Sequence, residues 1–538
     1  MNHFKTFPQH HTVMSTVYRT FTCSLLLVLL SALPGWATTY YVKNGGNDSY
    51  DGLTDSTAWA TIAKVKAASK SGDTVLFRSQ DTWSSSYLPV LSATAGVVYD
   101  GASYGSGTRA KLRATGGYLS GPVDAVVNLF ASNVLFTGFE VDGNAQVTGG
   151  IYAGMHAPSS VSNITIDNCV VHDNGGPESS PTKYYYGIHV GSAMSVTVDA
   201  PMVVSNVKVI NTTVYNTGHE GIAVYPTWLY PYNRVNGLLI RNCVIHDTAH
   251  WGGNAWGDGI YFVNDSDNVT IEFNSIYDCF RGLNLGTSTT YTGSPNNATI
   301  RYNIIRNSTF AGIVINPSSG ISGDASFYGN ILYNNGKYWS GNYSSEIDIA
   351  GRNNYNSSVF NFYNNTIYST ASTASDKRNV SISLFERLAG TPTINFRNNI
   401  VYSGSYTPIR DPFNLLKHSN NLIYRSSSAL DEHVNSGTSY NRAGVLIWEP
   451  TARNTDPKFV GGILPTGFRG TYGRDLQPNS DYFAITTGDA VGGGTSLASP
   501  YDSSINGAGL AVPITRPMGG AYDIGAYQHI PPPPSLQP

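Results

Sequence analysis

Three ionisable residues, Glu220, Asp258 and Arg281, each stand directly before the glycine of a short motif: GIAV from Gly221, GIYF from Gly259 and GLNL from Gly282. Three further motifs, from Gly150, Gly187 and Gly312, are preceded by Gly149, Tyr186 and Ala311. One residue past the aliphatic position come Tyr152, His189, Ala223, Tyr261, Asn284 and Val314. If successive motifs are neighbouring strands ~4.8 Å apart, the oxygens of Glu220 and Asp258 stand roughly 5–6 Å apart, near the spacing of retaining glycosidases. Carboxylates that close push one pKa up and leave the other low. With Arg281 beside it, Asp258 reads as the ionised nucleophile. Glu220 then reads as general acid/base, with His189 and Asn284 holding sugar hydroxyls. The plainer alternative is a surface salt bridge between Asp258 and Arg281 with an incidental glutamate.

Long insertions flank these motifs at 173–186, 191–205, 226–236 and 247–257, and they bring Tyr186, Trp228, Trp251 and Trp256. Aromatic loops on a rigid scaffold make grooves in which rings stack on sugars. Tyr186, Tyr261, Asn284, Trp228, Trp251 and Trp256 are therefore the expected substrate contacts. A second chemistry, β-elimination beside a uronate, needs a base and a cation to quiet the carboxylate. His189, Tyr261 or Lys183 would be the base. Arg281, or Ca²⁺ held by Glu220 and Asp258, would be the cation. Hydrolysis requires no cofactor. Glycan binding without turnover is a third class.

What must position these residues is a repeat. The phrases NCVVH (Asn168), NTTVY (Asn211), NCVIH (Asn242), NSIY (Asn274), NIIR (Asn303), NILY (Asn330), NTIY (Asn365), NNIVY (Asn398) and NLIY (Asn421) recur along the chain. Their step of about 30 residues marks a solenoid. Apolar residues alternate as in strands, and turn residues separate them. Two or three short strands per repeat fit one coil of a parallel β-helix, whereas a propeller needs antiparallel hairpins that are missing. Asn274, Asn303, Asn330, Asn365, Asn399 and Asn421 would then form an amide ladder.

Composition narrows the partners. Charged residues make up 12% of the chain and the net charge is −3, so no basic surface for nucleic acid is expected. Cys23 falls in an apolar run, Phe21 to Leu33, that reads as a secretory signal cleaved after Ala37 and is too short to span a membrane. Cys169, Cys243 and Cys279 read as small buried hydrophobes, and no cysteine spacing suggests zinc. His172 and His246 read as turn residues and not ligands. His219 either orients Glu220 or is an exposed turn histidine. Asp48, Asp51 and Asp55 read as turn formers before calcium ligands.

The chain opens with TTYYVKNGGNDSYDG (Thr38 to Gly52), a helical stretch from Ser56 to Ser69 containing WATI, and SGDTV; it closes with DPKFVGG and DIGAYQ. These segments resemble the pectate-lyase-like, right-handed β-helix superfamily, whose members include lyases, hydrolases, epimerases and proteins without known activity. The resemblance implies an all-β fold, a single-stranded right-handed parallel β-helix with an N-terminal capping helix. No catalytic family is matched: paired aspartates of the polygalacturonase kind and a DPHD motif are absent. The expected layout is a signal at 1–37, cap and first coils at 38–131, central coils at 132–425, a closing segment at 426–530 and a proline-rich tail at 531–538. A monomer, secreted or periplasmic and acting on polysaccharide, is the corresponding expectation.

Overall fold

The computed structural model describes residues 37–116, 125–146, 149–156, 159–175, 185–192, 202–225, 234–248, 257–263, 266–286, 297–316, 324–336, 345–349, 358–369, 380–384, 392–403, 408–411, 414–425, 446, 448–461, 483–504, 514–515 and 522–528. Each coil gives one strand to each of three walls, as in Val203–Ile210, Thr213–Thr217 and Ile222–Tyr225. The next coil repeats the order with Leu239–Arg241, Val244–Thr248 and Asp258–Val263. Among the described residues the walls are parallel sheets of 15, 12 and 11 strands. A parallel strand buried on both faces reads as an aliphatic run and one buried on a single face as an alternation, as in Ile222–Tyr225 and Thr74–Arg78 respectively.

Inward residues of all three sheets form one continuous core, with Val209, Val214, Ile222, Ile240, Ile245 and Ile260 among its members. The motif glycines sit where the backbone turns hard against that core. A Cβ on Gly221 would meet Ile245 Cγ2 at 2.5 Å, and one on Gly259 would meet Ile276 Cγ2 at 2.5 Å. Another corner turns through left-handed residues, mostly asparagine: Asn168, Asn211, Asn242, Asn364, Asn398 and Asn420 have φ between 49° and 55°. Asparagine tolerates that region far better than bulky residues do. Phe273 and Tyr302 occupy the same corner at φ 56° and 58°.

The amide ladder is present. Asn274, Asn303, Asn330, Asn365 and Asn399 each donate both backbone N–H and side-chain Nδ2 to the Oδ1 of the next asparagine, at 2.9–3.1 Å. Each Nδ2 also reaches a carbonyl on the other side, as from Asn330 to Ile300. The run ends at Glu449, whose Oε1 and Oε2 accept from Asn421 N and Nδ2 at 2.7 and 2.9 Å. A shorter run ends alike at Glu346, which accepts from Asn335 N and Nδ2 at 3.0 and 2.6 Å. Cys169, Cys243 and Cys279 are buried and form no disulfide among the described residues.

Several expectations need adjusting. The capping helix is Ile62–Ala68, shorter than 56–69, because Thr61 accepts from Lys64 N and starts the helix there. Val65 plugs it into the core. Asp48 caps Ala60 N and Thr61 N, and Asp51 accepts from Leu53 N, so both close turns. His172 and His246 are strand residues and not turn residues. With Tyr215 and Tyr277 they form a face-to-face ring stack at 5.0, 5.1 and 4.7 Å. The closing segment lies along the flank of the later coils, packing Phe459, Phe483, Ile485 and Tyr527 with Tyr333, Tyr368 and Tyr402. The leader up to residue 36 and the tail from 529 lie outside the described residues. Among the described residues no helix is long and apolar enough to cross a membrane.

Candidate active site

The residues that precede the motif glycines share one wall. Strand Ile222–Tyr225 pairs Ile222 with Ile260 of Asp258–Val263, which sets Glu220 beside Asp258. Asp258 pairs with Arg281, and Arg281 with Ala311. The second column is equally regular: Tyr152, His189, Ala223, Tyr261, Asn284, Val314 and Asp348 are successive partners. Tyr186, Ala223, Tyr225 and Tyr261 pack together outside the main core, so this side of the sheet faces away from the coil's interior.

The wall is not an open surface. Glu220 is 2% exposed and Asp258 0%, and Arg281, His189, Asn284 and Tyr186 are also buried; Tyr261 is partly buried. Rings one rung apart cover one another, with His189 stacked on Tyr152 at 4.2 Å and Tyr186 tilted against Tyr225 at 5.6 Å. Trp228, Trp251, Trp256 and Lys183 lie outside the described residues.

The two carboxyl groups have contrasting surroundings. Asp258 Oδ1 accepts from Arg281 Nε at 2.5 Å, and its Oδ2 from Asn284 Nδ2 at 2.8 Å. Asn284 is thereby a partner of Asp258, and its Oδ1 is buried without a hydrogen-bond partner among the described residues. Glu220 Oε2 is hydrogen-bonded to His219 Nδ1. Burial, reinforced by the nearby Asp258, raises the Glu220 pKa above its usual 4.5 despite the opposing pull of His219. Burial alone would lower His219, but the Glu220 charge and hydrogen bond outweigh it and raise that pKa above 6.5. The pair therefore keeps a proton to higher pH than either group would in water.

His189 is the opposite case. Burial lowers its pKa to about 3, opposed only by a hydrogen bond to the Tyr225 backbone, so it is neutral at ordinary pH. Among the described residues its Nε2 has no hydrogen-bond partner. His219, weighed evenly from sequence between orienting Glu220 and idling in a turn, is the nearest polar neighbour of Glu220. The signal for it was adjacency alone. Elsewhere among the described residues, Glu140, Asp142 and His172 offer ligand atoms within 4.8 Å of one another. Lys111, 2.6 Å from Glu140, and Arg113, 3.2 Å from Asp142, already supply that cluster's positive charge.

No curated protein matches the chain. Among solved structures it is similar to the GH136 lacto-N-biosidase from Eubacterium ramulus, at 14% identity and TM-score 0.49, over 76% of this chain and 70% of that one. It is also similar to pectate lyase Pel9A, at 14% and 0.48, over 92% and 98%. A third is the A-module of mannuronan C-5 epimerase AlgE4 from Azotobacter vinelandii, at 14% and 0.46, over 71% and 94%. Likenesses of this strength carry no argument about chemistry. Residues 184–367 match the family described as "Right handed beta helix region". That match, laid over a three-walled coil in parallel register, makes this chain a right-handed parallel β-helix.

Proposed function

We propose that the protein cleaves a polysaccharide by hydrolysis, with Asp258 as nucleophile and Glu220 as general acid/base. The observation that carries this reading is the contrast between two carboxyl groups on adjacent rungs. Asp258 is gripped by a guanidinium and an amide that both donate to it. Glu220 is buried, carries a raised pKa and is coupled to His219. Carboxyls one rung apart, ~4.8 Å along the stack, suit double displacement with retention. In the first step Asp258 attacks the anomeric carbon while Glu220 protonates the departing glycosidic oxygen. In the second, Glu220 takes a proton from water as that water displaces Asp258. The arrangement asks for no metal, and chelation is expected to leave turnover unchanged.

Elimination is less well served by the same residues. Arg281 is committed to Asp258 at 2.5 Å, and His189 with a pKa near 3 is a feeble base. Export to the cell exterior or periplasm, and action as a monomer, belong to the same proposal. The test is a panel of glycans scored for new reducing ends and for ultraviolet-absorbing unsaturated products, with Glu220→Gln and Asp258→Asn alongside. Loss of reducing-end release in both variants supports the assignment. Unsaturated products, or full activity in both variants, would end it.

A further inference from the structure

On the wall adjoining the candidate site, the ring stack His172, Tyr215, His246, Tyr277 is closed by Arg306, whose Cζ lies 3.9 Å from the centre of the Tyr277 ring. The register makes Arg306 the direct partner of Tyr277 below and Tyr333 above. Arg306 is 4% exposed, yet among the described residues its Nε has no hydrogen-bond partner. No carboxylate among the described residues forms an ion pair with it. The next residue, Asn307, is buried too, and its Nδ2 is likewise without a partner.

A buried guanidinium without a counter-ion is costly, and buried charges are almost always paired. The Tyr277 ring recovers part of that cost through its face. A ring face leaves the N–H groups in the guanidinium plane unsatisfied. Those groups form the edge that binds oxyanions through two parallel hydrogen bonds. Asn307, in the left-handed conformation at φ 55°, adds an amide donor one residue on.

We propose that Arg306 and Asn307 form a binding site for an oxyanion, a carboxylate or sulfate group, at the end of the ring stack. A sugar acid or sulfated sugar and a free inorganic anion share this chemistry. The site belongs to a different wall from Glu220 and Asp258, and its test reads binding and not turnover, so it stands or falls apart from the hydrolytic reading. Titration calorimetry on the full chain, at constant ionic strength, would use inorganic sulfate, free glucuronate, and glucose as the neutral control. Saturable heat with sulfate or glucuronate is expected, reduced at least tenfold in affinity by Arg306→Gln, with glucose inert. Sulfate binding alone would assign the site to inorganic anions, and glucuronate binding to sugar acids; either supports it. Should Arg306→Gln fail to fold by circular dichroism, Asn307→Gly, which keeps the left-handed turn and removes the amide, is expected to weaken binding severalfold. No anion binding beyond that of glucose, or unchanged affinity in a folded Arg306→Gln or in Asn307→Gly, overturns the proposal.

Discussion

Two walls of one coil use the same spacing to opposite ends. On the wall of Glu220 and Asp258 the rungs change at every step, from Tyr186 to acid, acid, Arg281 and Ala311. On the wall of His172 they nearly repeat, running His, Tyr, His, Tyr, Arg306 and then Tyr333, Tyr368 and Tyr402. Like rings in register stack and stabilise the coil through their faces. Unlike charges in register do something else: Asp258 is held by Arg281 and Asn284 from the next rung, while burial, with Asp258 one rung away, raises the Glu220 pKa. Repetition yields stability, and its interruption yields chemistry.

That contrast can be broken by substitution, beginning with the largest effect. Asp258→Asn should cost turnover on the order of 10,000-fold, as loss of a group acting in a concerted unit does, while circular dichroism stays unchanged. On the ring wall, Tyr215→Leu should leave turnover intact. Next, Arg281→Gln strands a buried carboxylate and should cost about 3–5 kcal/mol of stability by denaturant titration. A smaller loss follows from Asn330→Leu in the ladder, about 1–3 kcal/mol for each orphaned N–H, again with turnover kept per folded molecule.

Glu220 and His219 give a graded test. Both pKa values are raised in the folded chain, so the native state holds protons that the unfolded chain releases. The resulting stability is complete below the unfolded values, 4.5 for the glutamate and 6.5 for the histidine. It is lost as pH climbs through the raised native values. The melting temperature of the native chain should therefore fall as pH rises past 4.5 and then past 6.5, and Glu220→Gln should flatten that fall. Hydrolysis should decline over the same climb as Glu220 loses its proton. The smallest effect belongs to Tyr215→Leu itself, about 0.5–1.5 kcal/mol for each ring pair lost.

How much of this was legible follows from what repeats. The period and the Gly-aliphatic motif gave the register of Glu220, Asp258 and Arg281 before any coordinates, because a solenoid converts spacing in sequence into adjacency in space. Asn274 to Asn421 could be read as a ladder for the same reason. Burial was not readable: an outward position on a strand does not say how covered its side chain will be, and Glu220 and Asp258 are almost wholly buried. Nor were the ladder's ends visible, since Glu346 and Glu449 fall outside the repeated phrase. Arg306 closes one of those phrases, but its isolation depends on which carboxylates come near, and no local pattern encodes that.

An asparagine can accept on one side and pass two hydrogens on from the other, so a column of them has a direction and no natural length. A carboxylate can only receive. Placing Glu449 after Asn421 thus works as a full stop: the relay is terminated by a group with nothing left to hand to another coil. Glu346 also receives both hydrogens at the end of the shorter column, but burial raises its pKa well above 4.5, so that carboxyl keeps a proton of its own. A glutamine at 449, able to donate again, would leave the last rung with an unspent hydrogen and an end open to further stacking.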